Sequence, residues 1–143
     1  MANNVFTISG LSFAYGQKRI FEGLDLSLRE GVVTTLIGAN GSGKSTLFNL
    51  MTKNLKPSAG SVFLRGGDVG LLRLRDFAKL VAIVHQRNTA PADLSVEKLV
   101  EYGRFPYRAL GRRADAAEDE RMVKWALETT GLAEFARQSV SSL

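Results

Sequence analysis

The chain has 143 residues, 45% of them hydrophobic, with 19 Lys and Arg against 14 Asp and Glu and a formal charge of +5. That length supports one domain with a real core and is short for the larger nucleotide-dependent enzymes. The absence of cysteine excludes a disulfide framework, a thiol nucleophile and a cysteine-ligated metal, and the single histidine, His85, excludes a multi-histidine zinc site. The positive surplus, carried largely by Arg73, Arg75, Arg87, Arg104, Arg108, Arg112 and Arg113, suits a phosphate ligand, a nucleic acid or an anionic membrane and selects none of them. "MANNVFTISG" lacks a leader's basic start and apolar core, and no apolar run nears the roughly 20 residues that span a bilayer. A cytoplasmic protein without membrane insertion is therefore expected.

Residues 5–15, "VFTISGLSFAY", are β-branched and aromatic with partial alternation, which predicts a strand with a turn or bulge near Gly10. "GLDLSLREG" alternates cleanly, Leu24, Leu26 and Leu28 against Asp25, Ser27 and Arg29, and predicts a half-buried antiparallel strand joined to the first through residues 16–19. Residues 32–37 are apolar and uncharged, as in a strand buried on both faces. From Lys44 to Asn54 the spacing turns helical, with Leu47, Leu50, Met51 and Leu55 on one face. "KPSAG" closes that helix, "SVFLRG" is a further strand, "GGDVG" a turn, and residues 73–79 a short helix leading to a second apolar run, "LVAIVHQ". That run reads as a buried strand whose end is where open α/β sheets place ligand contacts.

The second half is helical. Ser95 is the expected N-cap of a helix over 95–103, followed by the loop "GRFPYRALGRRA". Asp115 with Glu118 resembles a capping box and opens a helix to about Thr130, with Met122, Trp125, Ala126 and Thr130 as its expected buried face and Leu127 at the edge. Gly131 ends it, and "LAEFARQ" adds one or two helical turns.

Between the apolar run and the first helix, "GANGSGKST" sets Gly38, Gly43, Lys44 and Ser45 in the G-x-x-x-x-G-K-[ST] arrangement. Gly38, Gly41 and Gly43 let backbone N–H groups turn inward, and the helix start adds unpaired donors aimed at the same anion. Lys44 reaches β- and γ-phosphates, and the Ser45 hydroxyl suits the coordination sphere of Mg²⁺. The reading is a nucleoside triphosphate held by Gly38, Asn40, Gly41, Ser42, Gly43, Lys44, Ser45 and Thr46. A dinucleotide fingerprint fits only half the glycines and leaves Lys44 and Ser45 unexplained.

With this cradle and its flanking strands the chain resembles the nucleotide-binding ATPase subunit of ABC transporters over nearly its whole length. The resemblance implies an α/β fold: a P-loop NTPase core with an antiparallel β subdomain at its N-terminus and the start of a helical subdomain. Residues 1–90 would form the β-rich ATP-binding core and 91–143 a partial helical subdomain. It implies that Tyr15 in "LSFAYGQKRIF" stacks on adenine, a residue that reads equally well as a half-buried strand-end aromatic. It also implies that Gln86 in "VAIVHQR" contacts Mg²⁺ and the attacking water, although a glutamine after a strand is by itself ordinarily a solvated loop residue. His85 beside it reads as a loop imidazole and is assigned no catalysis. Ala39 stands where the family commonly has proline and contributes only backbone to the cradle.

"LSVEKLVEYGRFPYRAL" is similar to the branch that imports iron–siderophore complexes, haem or cobalamin. The implied partners are a transmembrane permease docking near Gln86 and Arg104, Phe105, Pro106 and Tyr107, and a second ATPase subunit, with the protein peripheral on the inner face of the cell membrane. The family's S-G-G signature, its Asp-Glu strand and its switch histidine have no match before Leu143, so the chain is expected to be the N-terminal part of such a subunit. ATP binding with negligible hydrolysis is the expectation for these residues alone, because Lys44 and Gln86 do not replace the missing carboxylates. Apolar edges at 32–37 and 80–84 should then be exposed and prone to aggregation unless another chain covers them. Alternatives are a non-catalytic nucleotide-binding fragment, a nucleic-acid-acting P-loop ATPase using Arg108, Arg112 and Arg113, and a kinase or GTPase, for which no guanine-specific motif is evident.

Overall fold

The alternating residues at the start of the chain pair as the pattern demands. In the computed structural model, strand β1 (Asn4–Tyr15) runs antiparallel to β2 (Lys18–Arg29), with Phe6 opposite Leu28 and Ile8 opposite Leu26. The register breaks between Ile8 and Leu11, where Gly10 takes φ 58° and donates its N–H to Asp25 Oδ1 at 2.8 Å. This is the expected bulge, stabilised by a side chain of the neighbouring strand. The structure describes residues 3–86, 91, 93–108 and 116–143. The chain divides into two units, Met1–Val81 and Ala82–Leu143, each with its own core.

In the first unit, helix α1 (Lys44–Met51) follows the glycine-rich loop, β3 (Ala59–Leu64) pairs antiparallel with β1, and the short β4 (Gly67–Asp68) with β3. The resulting sheet has the order β2-β1-β3-β4. Leu47, Leu50 and Met51 of α1 pack with Ile8, Leu11, Val62 and Leu64 of the sheet, and Phe77 of helix α2 (Leu74–Ala78) joins them. Lys53, just past α1 at φ 63°, donates from Nζ to the carbonyls of Val69 (2.5 Å), Leu72 (2.6 Å) and Gly70 (3.3 Å). One ammonium thereby satisfies three carbonyls of a turn that has no sheet partners for them. Lys53→Met is expected to destabilise this unit by roughly 2 kcal/mol, the scale of a charged hydrogen bond lost from partly buried groups. An unchanged denaturation midpoint would mean that water replaces the ammonium there.

The two apolar runs read as buried strands take a different form. Residues 33–39 and 81–85 carry no regular secondary structure, and Val33, Ile37 and Val84 are 97%, 87% and 91% exposed. An apolar run identifies a segment that a sheet can bury, but a strand exists only through a hydrogen-bonded neighbour. Among the described residues no strand pairs with either run.

The second unit is helical. In helix α3 (Val96–Tyr102), Ser95 caps the N-terminus by accepting from the Lys98 N–H at 3.3 Å. The chain's last residues serve the same end: the N–H of Val96 donates to Gln138 O and that of Glu97 to Ala136 O, at 3.0 and 2.9 Å. Helix α4 (Ala116–Thr129) buries Asp119, Val123 and Leu127, and the latter two pack with Val96. This corrects the expected face: Trp125 is 57% exposed, and the buried stripe lies one position round the helix. Its first member is a carboxylate, which masks the stripe in a hydrophobic pattern. Asp115 and the second half of the loop after α3, residues 109–114 with Arg112 and Arg113, lie outside the described residues, as does Arg87.

Candidate functional site

The exposed stretch before Gly38 delivers the chain to a tight loop. The Ser42 N–H donates to Ala39 O at 3.2 Å, and Gly43, at φ 94°, ends the loop as the N-cap of α1. Glycine is favoured at both ends of this turn, most strongly at Gly43, whose left-handed φ a side chain resists. A β-carbon on Gly38 would lie 2.8 Å from Ser42 Oγ, and one on Gly43 would lie 2.9 Å from both Ile20 Cγ2 and Phe21 Cζ. The Gly43 end of the loop therefore packs against side chains of β2, and the Gly38 end against Ser42 of the loop itself.

The first-turn N–H groups of an α-helix have no intrahelical acceptors. At α1 no side chain caps them and no acidic residue occupies the first turn. The positive end of the helix is thus left for an external anion. Lys44, the first residue of α1, donates from Nζ to Gly38 O at 2.7 Å and Ala39 O at 2.8 Å, drawing the ammonium across the mouth of the loop. Ser45 is exposed and Thr46 is buried beneath it. Asn40, Gly41 and Ser42 are exposed along the loop. A cationic side chain, backbone donors and a side-chain-free bend fit a polyphosphate in charge and shape. Among the described residues no group of three or more His, Cys, Asp or Glu could hold a metal ion. This donor set suits a hard cation carried mainly by phosphate oxygens and water.

Tyr15 ends β1 in the same unit, half-exposed at 50% and edge-on to Phe13, with ring centroids 4.9 Å apart. Gln86 and His85 are exposed and belong to the second unit.

Sequence reasoning missed a charged cluster in that second unit. Asp119 accepts from Arg104 Nε at 2.7 Å and Arg108 Nε at 3.0 Å, and its side chain is only 11% exposed. These two hydrogen bonds, outweighing its burial, hold its carboxyl below the usual carboxylate range. The signal available in the sequence was Asp119 at the head of an i, i+4, i+8 stripe with Val123 and Leu127.

The family model described as ABC transporter matches residues 21–143. The chain is 43% identical over 98% of its length to the iron(3+)-hydroxamate import ATP-binding protein FhuC of Bacillus subtilis, covering 52% of that protein. It is 34% identical over its full length to the ferric enterobactin transport ATP-binding protein FepC of Escherichia coli, covering 53% of it. Among solved structures, cbiO1 from Clostridium perfringens, part of the ABC transporter complex cbiONQ, superposes with a TM-score of 0.77 at 24% identity, over 99% of this chain and 56% of that one. The chain belongs to the ABC transporter family, and its fold is that of the N-terminal part of an ABC-type nucleotide-binding domain. It spans about half the length of the curated relatives it matches. No helix among the described residues is long and apolar enough to cross a membrane.

Proposed function

We propose that this chain binds Mg²⁺-ATP, and that the whole protein hydrolyses ATP to drive import of an iron–siderophore or related metal chelate through a membrane permease. The observation that carries the first part is the uncapped start of α1 with Lys44 drawn across a glycine-rich loop that packs closely at Gly38 and Gly43. The second part is supported by the relatives, whose names specify iron-hydroxamate and enterobactin transport. In this reading Gly38, Asn40, Gly41, Ser42, Gly43 and Thr46 give the triphosphate its backbone donors, and Lys44 binds its β- and γ-phosphates. Ser45 and Gln86 contact Mg²⁺, and Tyr15 stacks on adenine. Mg²⁺, when bound, offsets charge that builds on the phosphate oxygens.

Residues 1–90 then act as the nucleotide core and 91–143 as the helical subdomain. The permease docks near Gln86 and Arg104–Tyr107, a second ATPase subunit completes the assembly, and the protein is peripheral on the inner face of the cell membrane. In this reading the 143 residues alone bind ATP with negligible hydrolysis, because Lys44 and Gln86 do not supply the carboxylates that phosphoryl transfer uses. Arg108, one of the arginines a nucleic-acid reading needs, is already engaged by Asp119, which favours the nucleotide reading.

A fluorescent ATP analogue titrated into the chain tests this. ATP should displace it, at least as well as GTP, and chelating Mg²⁺ should weaken it. A failure of millimolar ATP to displace the analogue, or no binding at all, would remove the proposal.

A further inference from the structure

Phe105–Tyr107 forms a single 3-10 turn after α3, opened by Pro106, with no side-chain cap and no buried residue. Phe105 and Tyr107 are exposed, as is Tyr102 at the end of α3. A set of contacts reaching across sequence adds to the turn's own backbone bonds. Asp119 of α4 takes Arg104 on one carboxylate oxygen and Arg108 on the other, so one side chain grips both ends of the turn. Each arginine in turn backs an aromatic ring. The Arg104 guanidinium lies 4.2 Å from the Tyr107 centroid and that of Arg108 5.6 Å from Phe105, whose ring stacks on Tyr102 at 4.9 Å. The cations are thus neutralised on one side and spent on aromatic faces on the other.

We infer that Asp119 is a positioning residue: it presents Phe105 and Tyr107 as a preformed aromatic surface for a protein partner. Exposed tyrosine and phenylalanine held by paired arginines are the kind of surface that concentrates binding energy at protein interfaces, because less side-chain freedom remains to be lost. The partner class, a permease segment, rests on the docking reading above. Asp119 itself touches no partner in this scheme and acts through Arg104 and Arg108.

Amide exchange reads the turn directly, through the Tyr107 N–H donating to Arg104 O at 2.9 Å and the Arg108 N–H donating to Phe105 O at 3.2 Å. Asp119→Asn keeps the shape and removes the charge. It should speed exchange at Tyr107 and Arg108 by roughly tenfold, the scale of a lost charged hydrogen bond, while the Leu127 amide in α4 slows or speeds far less. Asp119→Glu should restore part of the protection. Exchange at the turn unchanged in Asp119→Asn, or accelerated equally throughout α4, would overturn the inference in favour of general support of the helix. A pH series adds a second reading. With its folded-state value depressed, the carboxylate's contribution is full above its ordinary value of 3.8 and is lost as pH falls through the folded value. Glu97 and Glu101 of α3 and Glu120, Lys124 and Glu128 of α4 line the same groove, so acid loosening that persists in Asp119→Asn belongs to them. Recovery of the co-expressed permease subunit with the chain separates the two claims. Phe105→Ala should reduce it, and if it does not while Asp119→Asn still frees the turn, the docking reading fails and the positioning role stands.

Discussion

Gly60→Ala is expected to cost the first unit on the order of 4 kcal/mol or more, enough to remove its cooperative unfolding transition. Gly60 lies in β3 at the break in its pairing with β1, between the Ser9–Ser61 and Ser12–Ala59 pairs. There Gly10 and Leu11 bulge opposite one residue. A β-carbon on Gly60 would sit 2.3 Å from Gly10 O, 2.4 Å from its carbonyl carbon and 2.5 Å from Ser9 O. All three are main-chain atoms, so no rotamer change relieves the contact. The strands would have to part where Ile8, Leu11 and Val62 are buried together. The φ of 76° adds left-handed strain that a side chain resists. Gly16→Ala supplies the control: its φ is 57°, but nothing lies within 4 Å of a β-carbon there. That variant should lose only about 1 to 2 kcal/mol. Thermal or urea denaturation followed by circular dichroism decides the matter. Equal midpoints for the two variants would show that backbone conformation, and not strand separation, sets the requirement at Gly60.

The readable parts of this chain are those whose determinants are local. Alternation in β2 required only that Leu24, Leu26 and Leu28 point the same way, and the pairing with β1 followed from a short turn. Ser95 capped α3 because a hydroxyl and an amide three residues apart need nothing else. The phosphate cradle was legible because spacing, glycine and lysine are all contained in nine residues, 38–46. What depended on distant partners was read less well. The apolar runs at 32–37 and 80–84 identify material for a sheet, but pairing comes from elsewhere, and Val33 and Val84 stand exposed without it. The face of α4 was misplaced by weighing Trp125 as a core residue and passing over Asp119. Fifteen residues separate Asp119 from Arg104, and no helical periodicity carries that contact. Lys53 was unreadable for the same reason, since its three carbonyls belong to a turn 16 to 19 residues away.

Lys44→Ala is expected to weaken ATP binding by roughly 100-fold, the combined scale of two charge-assisted hydrogen bonds to phosphate. The same substitution should barely move the unfolding midpoint. In this structure the Lys44 ammonium donates to Gly38 O and Ala39 O, but both bonds lie in exposed surroundings where water can replace them. Those carbonyls hold the ammonium at the loop's mouth, so triphosphate binding exchanges one set of oxygen acceptors for a more negative one without moving charge from far away. Alanine removes that charge while leaving the glycine bend and the uncapped amides of α1 in place, so residual affinity reports what the backbone alone supplies. Lys44→Arg should not fully restore affinity, because a planar guanidinium presents its donors in a fixed fork where lysine offers a compact ammonium. Titration of a fluorescent ATP analogue into the three proteins, with denaturation run alongside, separates the outcomes. Wild-type affinity in Lys44→Ala would mean that the triphosphate is held elsewhere, and parallel losses of affinity and stability would mean that the lysine builds the loop and does not bind the nucleotide.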